Sequence, residues 1–342
     1  MRKRLIRITV GIVTLLAIGS GGMAARAGES LAQAVSPPVM GDGGTVRLMV
    51  NMAGTQSFPP YVILKNGLDK KYGFVLQTSP SATTQTTTTG FQSGSADLGM
   101  MGWNDLSRIK TGGVNVVGVA PFLGWANTIV VPASSTIKTL GDLKGKKVGV
   151  YSRTGLDWVV MRALALKQYK LDLESDVVIQ EGAVSLLRGL MEQNSLDATQ
   201  MFNDLTAPMI VSGKYRVMAS IKSLVDQLGS NDTPFLLYTA DVGYATAHPN
   251  NVKAFVEAYR DAIKMLQTDD TPWVDHAKDL NMTDDAVVVA LRDLSRPMLM
   301  SRFTPSTESD IRKLWDILVA TAGAEKLGMA TLAPGFMTLD YQ

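Results

Sequence analysis

The 342-residue sequence contains no cysteine. That excludes disulfides, thiol catalysis and Cys-ligated zinc, and it leaves no residue for a lipid anchor behind a signal cleavage site. Histidine is nearly as scarce. His248 and His276 are the two in the chain, their spacing makes no metal site, and His248 directly before Pro249 reads as a helix entry. Neither G-x-S-x-G nor G-x-G-x-x-G occurs. The segment "GDLKGKK" has three residues between its glycines where a phosphate loop needs four, lacks the following Ser/Thr, and precedes a strand where it would have to follow one. No positioned base or nucleophile emerges, so the expectation is a protein that is not an enzyme and carries no cofactor or metal.

Long apolar runs are also lacking, apart from "ITVGIVTLLAIG" near the start. It follows the basic "MRKRLIR" and precedes the small residues of "SGGMAARA", the layout of a secretory signal peptide, and it is too short to span a bilayer comfortably. Residues 1–27 are therefore expected to be removed after Ala27, with Ala34 as a second candidate site, and residues 28–44 read as a loose segment. Removal would take away Arg2, Lys3, Arg4, Arg7 and Arg26, leaving 28 of 33 basic residues against 31 acidic ones, a net of −3. The basic excess of the full chain thus belongs to its leader, and nucleic acid is not an expected partner. The expected location is a bacterial periplasm, without lipidation.

The remaining length exceeds what one core usually holds, so two lobes are expected. The sequence supports this with an internal echo. "GFQSGSADLGMMGWND", residues 90–105, recurs as "LMEQNSLDATQMFND", residues 190–204, and Ser95/Ser195, Asp97/Asp197 and Met101/Met201 coincide at an offset of 100. Each copy reads as a helix end, a turn, a buried strand and a strand-end loop, with Gly94 or Asn194 at the left-handed turn position. The flanking segments repeat the pattern of strand, loop, helix, strand from "TVRLMV" and again from "KKVGVY". Two similarly wound α/β lobes result, 45–127 with 236–342 and 128–235, joined by two crossover strands near 127–132 and 233–237. The last stretch reads as helices returning to the first lobe.

In open α/β sheets, ligands sit beyond the carboxyl ends of strands, where helix N-termini favour anions. Four such ends are legible. After the first strand, Thr55, Gln56 and Ser57 precede a Pro-Pro helix start. "YSRTGLDW" places Ser152, Arg153, Thr154 and Gly155 at another, offering hydroxyls, backbone donors and a guanidinium to a sulfonate, phosphate or carboxylate. Trp103 directly follows the strand "LGMMG" and is a candidate for stacking on a planar ligand. Phe202, Asn203 and Asp204 close the second echo, where an acid either accepts a ligand N–H or caps the next helix.

"TIKTLGDLKGKKVGVYSRTG", "FQSGSADLGMMG" and "HPNNVKAFVEAY" resemble segments of bacterial periplasmic solute-binding proteins of the nitrate, sulfonate and taurine type, a group that includes thiamine-pyrimidine binders. The resemblance spans roughly residues 46–323 and implies the two-lobed type II periplasmic-binding-protein fold. It also implies capture of one small molecule in the inter-lobe cleft by hinge closure, and delivery to an ABC permease in the inner membrane, with the receptor acting as a monomer. Carried over position by position, the ligand loops correspond to Thr55–Ser57, Trp103, Ser152–Gly155 and Phe202–Asp204. "MFNDLTAP" matches the aromatic-acid-proline pattern of sulfonate binders only in part. The expected ligand is a small organic anion, sulfonate or carboxylate; the alternatives are a neutral heteroaromatic of the thiamine-pyrimidine kind, or a sensor that reports occupancy to a membrane partner.

Overall fold

The computed structural model describes residues 40–51, 55–230 and 233–342; the expected signal peptide and all of 28–44 up to residue 39 lie outside the described residues. The chain first lays down β1 (Thr45–Val50), α1 (Phe58–Lys65), α2 (Leu68–Lys71), β2 (Val75–Pro80), α3 (Thr84–Gln92), β3 (Leu98–Gly102), α4 (Trp103–Thr111) and β4 (Val116–Leu123). It then crosses to β5 (Thr128–Pro132), β6 (Lys147–Val150), α5 (Leu156–Tyr169), β7 (Val178–Glu181), α6 (Val184–Glu192), β8 (Ala198–Met201), α7 (Asn203–Val211), β9 (Tyr215–Ser220) and α8 (Ile221–Gln227). It returns through β10 (Leu236–Asp241) to α9 (Val242–Ala247), α10 (Pro249–Thr268), α11 (Thr271–Asp279), α12 (Asp285–Ser295) and α13 (Thr307–Ala322).

Two five-stranded sheets result, in the orders β2-β1-β3-β10-β4 and β7-β6-β8-β5-β9. In each, three strands are parallel and the fourth, arriving from the other half of the chain, runs antiparallel to both its neighbours. The two sheets have one topology, and the echo is its trace in the sequence. Leu48 pairs with Leu98 in the first sheet, and Val148 with Ala198 in the second. Asp97 accepts the backbone N–H of Arg47 at 2.8 Å, and Asp197 that of Lys147, also at 2.8 Å. Both turns need a left-handed residue, Gly94 at φ 68° and Asn194 at φ 56°, the two residue types that adopt it most readily.

β3 is buried along its whole length, and Gly99 within it allows α3 to lie close: a Cβ there would stand 2.5 Å from Thr87 Cγ2. α10 buries Val252, Phe255, Val256, Tyr259, Ile263 and Leu266 at helical spacing and packs on α1 and α2. α11, absent from the sequence reading, adds Trp273 and His276 to the same layer. The C-terminal helices are not confined to the first sheet. α12 packs against α7, and α13 against α5, so both tie the second sheet's helices to the rest.

Between the sheets the two crossings are held together by aromatic side chains. Trp103 Nε1 donates to the carbonyl of Pro234 at 2.8 Å, and Trp125 Nε1 to Thr233 Oγ1 at 3.3 Å. Trp103 meets Trp125 and, edge-on, Trp315 of α13, and Trp125 packs on Phe235. All three tryptophans are buried.

Candidate functional site

The carboxyl ends of β1, β3, β6 and β8 open into one cleft between the sheets, a cavity of about 420 Å3. From the first sheet it is lined by Asn51, Gln56 and the hydroxyls of Ser81, Thr83, Thr84 and Thr87 at the start of α3. Asn104, Asp105 and Arg108 of α4 complete that wall. The opposite wall consists of Tyr151, Ser152, Thr154 and Gly155, the first residues of α5 and Phe202, with Asn127 and Phe235 contributed by the crossings. A narrower recess of about 130 Å3, reaching Thr55, Leu123, Ala126 and Asn203, continues it inward. A larger, open concavity of about 650 Å3, with Arg188, Glu192 and Lys214 on its rim, lies at the opposite end of the second sheet, beside the end of the antiparallel β5 and away from the carboxyl ends of β6 and β8.

The residues expected from sequence divide between these surroundings. Gln56, Ser152, Thr154, Gly155 and Phe202 line the main cavity, and Thr55 and Asn203 line the recess. Asn203 is also tied down, its Nδ2 donating to Leu294 O and Ser295 Oγ at 3.2 Å each, which links α7 to α12.

Four expectations need correction. Trp103 is buried and engaged with Pro234 and two other tryptophans, so it staples the crossings and presents no face to a ligand. Arg153 turns away from the cavity: its guanidinium pairs with Glu174, and its backbone N–H donates to Glu181 Oε1 at 3.0 Å. The Glu174 carboxylate is itself fixed by Trp158 Nε1 at 2.8 Å, which makes it a ready counter-charge. Asp204 lies outside both linings, with Oδ1 accepting the adjacent Leu205 N–H at 3.1 Å. Ser57 also faces away from the main cavity, its Oγ 2.8 Å from His276 Nε2.

The Ser57–His276 pair resembles half of a nucleophile constellation, and Asp279 stands 3.8 Å from the other imidazole nitrogen. Burial lowers the His276 pKa and favours its neutral form. The helix start behind Ser57, however, supplies no donors for an oxyanion. Phe58 N–H and Tyr61 N–H are bonded to Thr55 O and Ser57 O, and Pro59 and Pro60 have none. The pair therefore reads as a buried hydrogen bond securing the Thr55–Ser57 loop to α11.

Sequence reasoning missed the charged residues of the cleft. Arg108 Nη1 donates to Asp105 Oδ1 at 2.7 Å, one turn apart on α4. Asp157, in the first turn of α5, accepts from Asn127 Nδ2 at 2.5 Å and is half-buried; burial raises its pKa to about 6. Asp105 and Asp157 stood within or just beyond the strand-end segments already singled out, and a first-turn acid is so common that nothing local marked them.

The NMT1/THI5-like family model matches residues 55–270, more than half of the sequence. The chain belongs to the NMT1/THI5-like family. Among solved structures it is similar to the periplasmic aliphatic sulphonate-binding protein SsuA from Escherichia coli, with a TM-score of 0.68 and 17% identity over 87% of this chain and 99% of that one. The alkanesulfonate-binding SsuA from Xanthomonas axonopodis pv. citri, bound to MOPS, matches with a TM-score of 0.67 and 17% identity over 86% and 98%. The periplasmic nitrate-binding protein NrtA from Synechocystis PCC 6803 matches with a TM-score of 0.59 and 12% identity over 84% and 85%. No curated protein sequence matches the chain. At these identities the likeness shows the fold, that of the two-lobed periplasmic binding proteins. This NMT1/THI5-like chain thus has the fold expected from its echo.

Proposed function

We propose that this protein is the solute-capturing component of an ABC importer. It would hold a small organic anion, sulfonate or carboxylate, between its two sheets and, in the periplasm, deliver it without chemistry to a permease in the inner membrane. The observation that carries the reading is the 420 Å3 cleft itself, where four strand ends and the hydroxyl-rich start of α3 converge on a volume suited to one small molecule. The first turns of α3, α4 and α5 all reach it, and helix N-termini favour a negative group. Arg108, and not Arg153, is the cation available there. The two SsuA proteins are named for sulfonates, and NrtA for another small anion, the inorganic nitrate.

A second reading, a neutral heteroaromatic ligand, is favoured by one feature, the aromatic surface of Tyr151, Phe202 and Phe235 on the wall of the same cavity. A thermal-shift panel of sulfonates, carboxylates, nitrate and pyrimidines distinguishes the two by which class raises the melting temperature with concentration. With a binding anion found, Arg108→Ala should weaken it about tenfold or more, whereas Arg153→Ala should leave it nearly unchanged. Loss of affinity in the Arg153 variant alone would sink this assignment of the cation.

A further inference from the structure

Ser57 occupies the N-cap position of α1, where a serine hydroxyl ordinarily accepts the N–H of the second or third helical residue. Those residues are Pro59 and Pro60, which have no N–H, and the Ser57 side chain makes no cap bond. The hydroxyl is thereby left for a partner outside the helix, and His276 of α11 takes it at 2.8 Å. The backbone carbonyls of Thr55 and Ser57 serve their own helix, accepting from Phe58 and Tyr61. Among the described residues, the Ser57–His276 bond is therefore the only hydrogen bond that joins Thr55–Ser57 to another element. Behind the loop lies a cavity of about 220 Å3, lined by Val50, Ser57, Tyr61, Leu64, Pro80 and His276 among others. Space on that side gives the loop room to withdraw from the cleft, whose wall it supplies with Gln56 and Thr55.

We infer that His276 is a positioning residue of the cleft: it lines neither the main cavity nor the recess, but through Ser57 it holds Gln56 and Thr55 in place. The inference rests on the solute-binding reading above and adds to it a control point on the far side of the loop. A binding wall has to be kept within about 0.5 Å of its productive place. The imidazole is itself fixed by α1, stacked on Tyr61 at 4.3 Å and met edge-on by Phe58 at 4.7 Å. Its ring and its nitrogen thus have separate tasks. The ring packs α11 on α1, and Nε2 fixes the loop, so losing the nitrogen alone leaves the packing and frees the wall.

Two substitutions separate these tasks. His276→Phe keeps a ring against Phe58 and Tyr61 and removes the nitrogen, whereas His276→Gln gives up the ring and keeps a hydrogen-bonding amide at similar reach. In hydrogen exchange of the ligand-free proteins, the amides of residues 55–57 should exchange about tenfold faster in the Phe variant and near the wild-type rate in the Gln variant. Ser57→Ala should match the Phe variant, while the melting temperature should fall further in the Gln variant than in the Phe variant. Ethanesulfonate, acetate and nitrate, titrated calorimetrically at about pH 7.5, give the second readout. A probe that the wild type binds should bind about tenfold more weakly to the Phe and Ser57→Ala variants, and nearly normally to the Gln variant. Exchange that follows the ring, or that is unchanged in the Phe and Ser57→Ala variants, overturns the inference and leaves the solute-binding reading standing. Faster exchange without loss of affinity for a bound probe overturns it as well. Silence of all three probes toward the wild type, with exchange still following the nitrogen, counts against the anion reading and supports the positioning of the loop.

Discussion

Asp157 bears a cost that pH can expose. Its pKa in the fold, about 6, lies above the ordinary value of 3.8, so the folded protein holds the proton more tightly than the unfolded chain. Stability is then greatest below the ordinary value and falls as the pH rises from about 4 through 6, by up to about 2–3 kcal/mol for a shift of this size. Asp157→Asn removes the titration. The ligand-free variant should melt several degrees higher than wild type at pH 8 and at nearly the same temperature at pH 4, measured by calorimetry at both values. A variant no more stable at pH 8 would mean that water or the α5 dipole already meets the cost. The residue scale is also where sequence reading went furthest astray. Arg153 and Asp204 have the right chemistry beside the right strand ends, but side-chain direction sends Arg153 to Glu174 and keeps Asp204 out of the cavity lining.

At the scale of elements, the repeated turn before β3 and β8 allows a comparison within one molecule. Both aspartates receive the N–H of the first strand of their unit, from Arg47 and Lys147. Asp97, with 3% of its side chain exposed, is further held by the Arg47 guanidinium through Nε at 2.9 Å and Nη2 at 2.5 Å. Asp197 is more exposed, and Lys147 makes no such contact with it. Removing Asp97 leaves a part-buried N–H without its acceptor and strips a bidentate ion pair, so Asp97→Ala should cost about 2–4 kcal/mol. Asp197→Ala should cost about 1 kcal/mol. Denaturant unfolding of the two variants measures the difference, and equal losses would show that the guanidinium contact adds nothing. The repeat was legible because turn chemistry is local: a left-handed Gly or Asn and an aspartate three residues later are dictated by a handful of bonds. α11 was not legible, because it is short and its aromatic residues, Trp273 and His276, acquire their meaning only against Phe58 and Tyr61 of α1.

On the scale of the whole molecule, closure over a ligand has to bend the two crossings, and these are stapled by Trp103 and Trp125 to Thr233 and Pro234. α12 on α7 and α13 on α5 bridge the sheets a second time. A hinge held in this way moves by small rotations, with helices sliding over packed surfaces. Addition of a solute that raises the melting temperature should therefore lower the radius of gyration in solution scattering by a small but measurable amount. It should also change the emission of the buried tryptophans. A tight ligand that leaves both unchanged would argue for a rigid pocket and against delivery by closure.

The sequence by itself determined the two-lobed α/β architecture, because a duplicated order of strand, helix, turn and strand is written in local periodicity and turn residues. It also located the strand ends around which the cleft forms, since helix starts have recognisable chemistry. Only the tertiary structure decided which side chains at those ends face the cavity. Whether an arginine meets a ligand or a glutamate 21 residues away, or a tryptophan lines a wall or closes a hinge, depends on what the rest of the chain brings alongside it. Arg108, Asp157 and Asn127 became a group for the same reason: three separate elements end at one place, and no local pattern encodes that meeting.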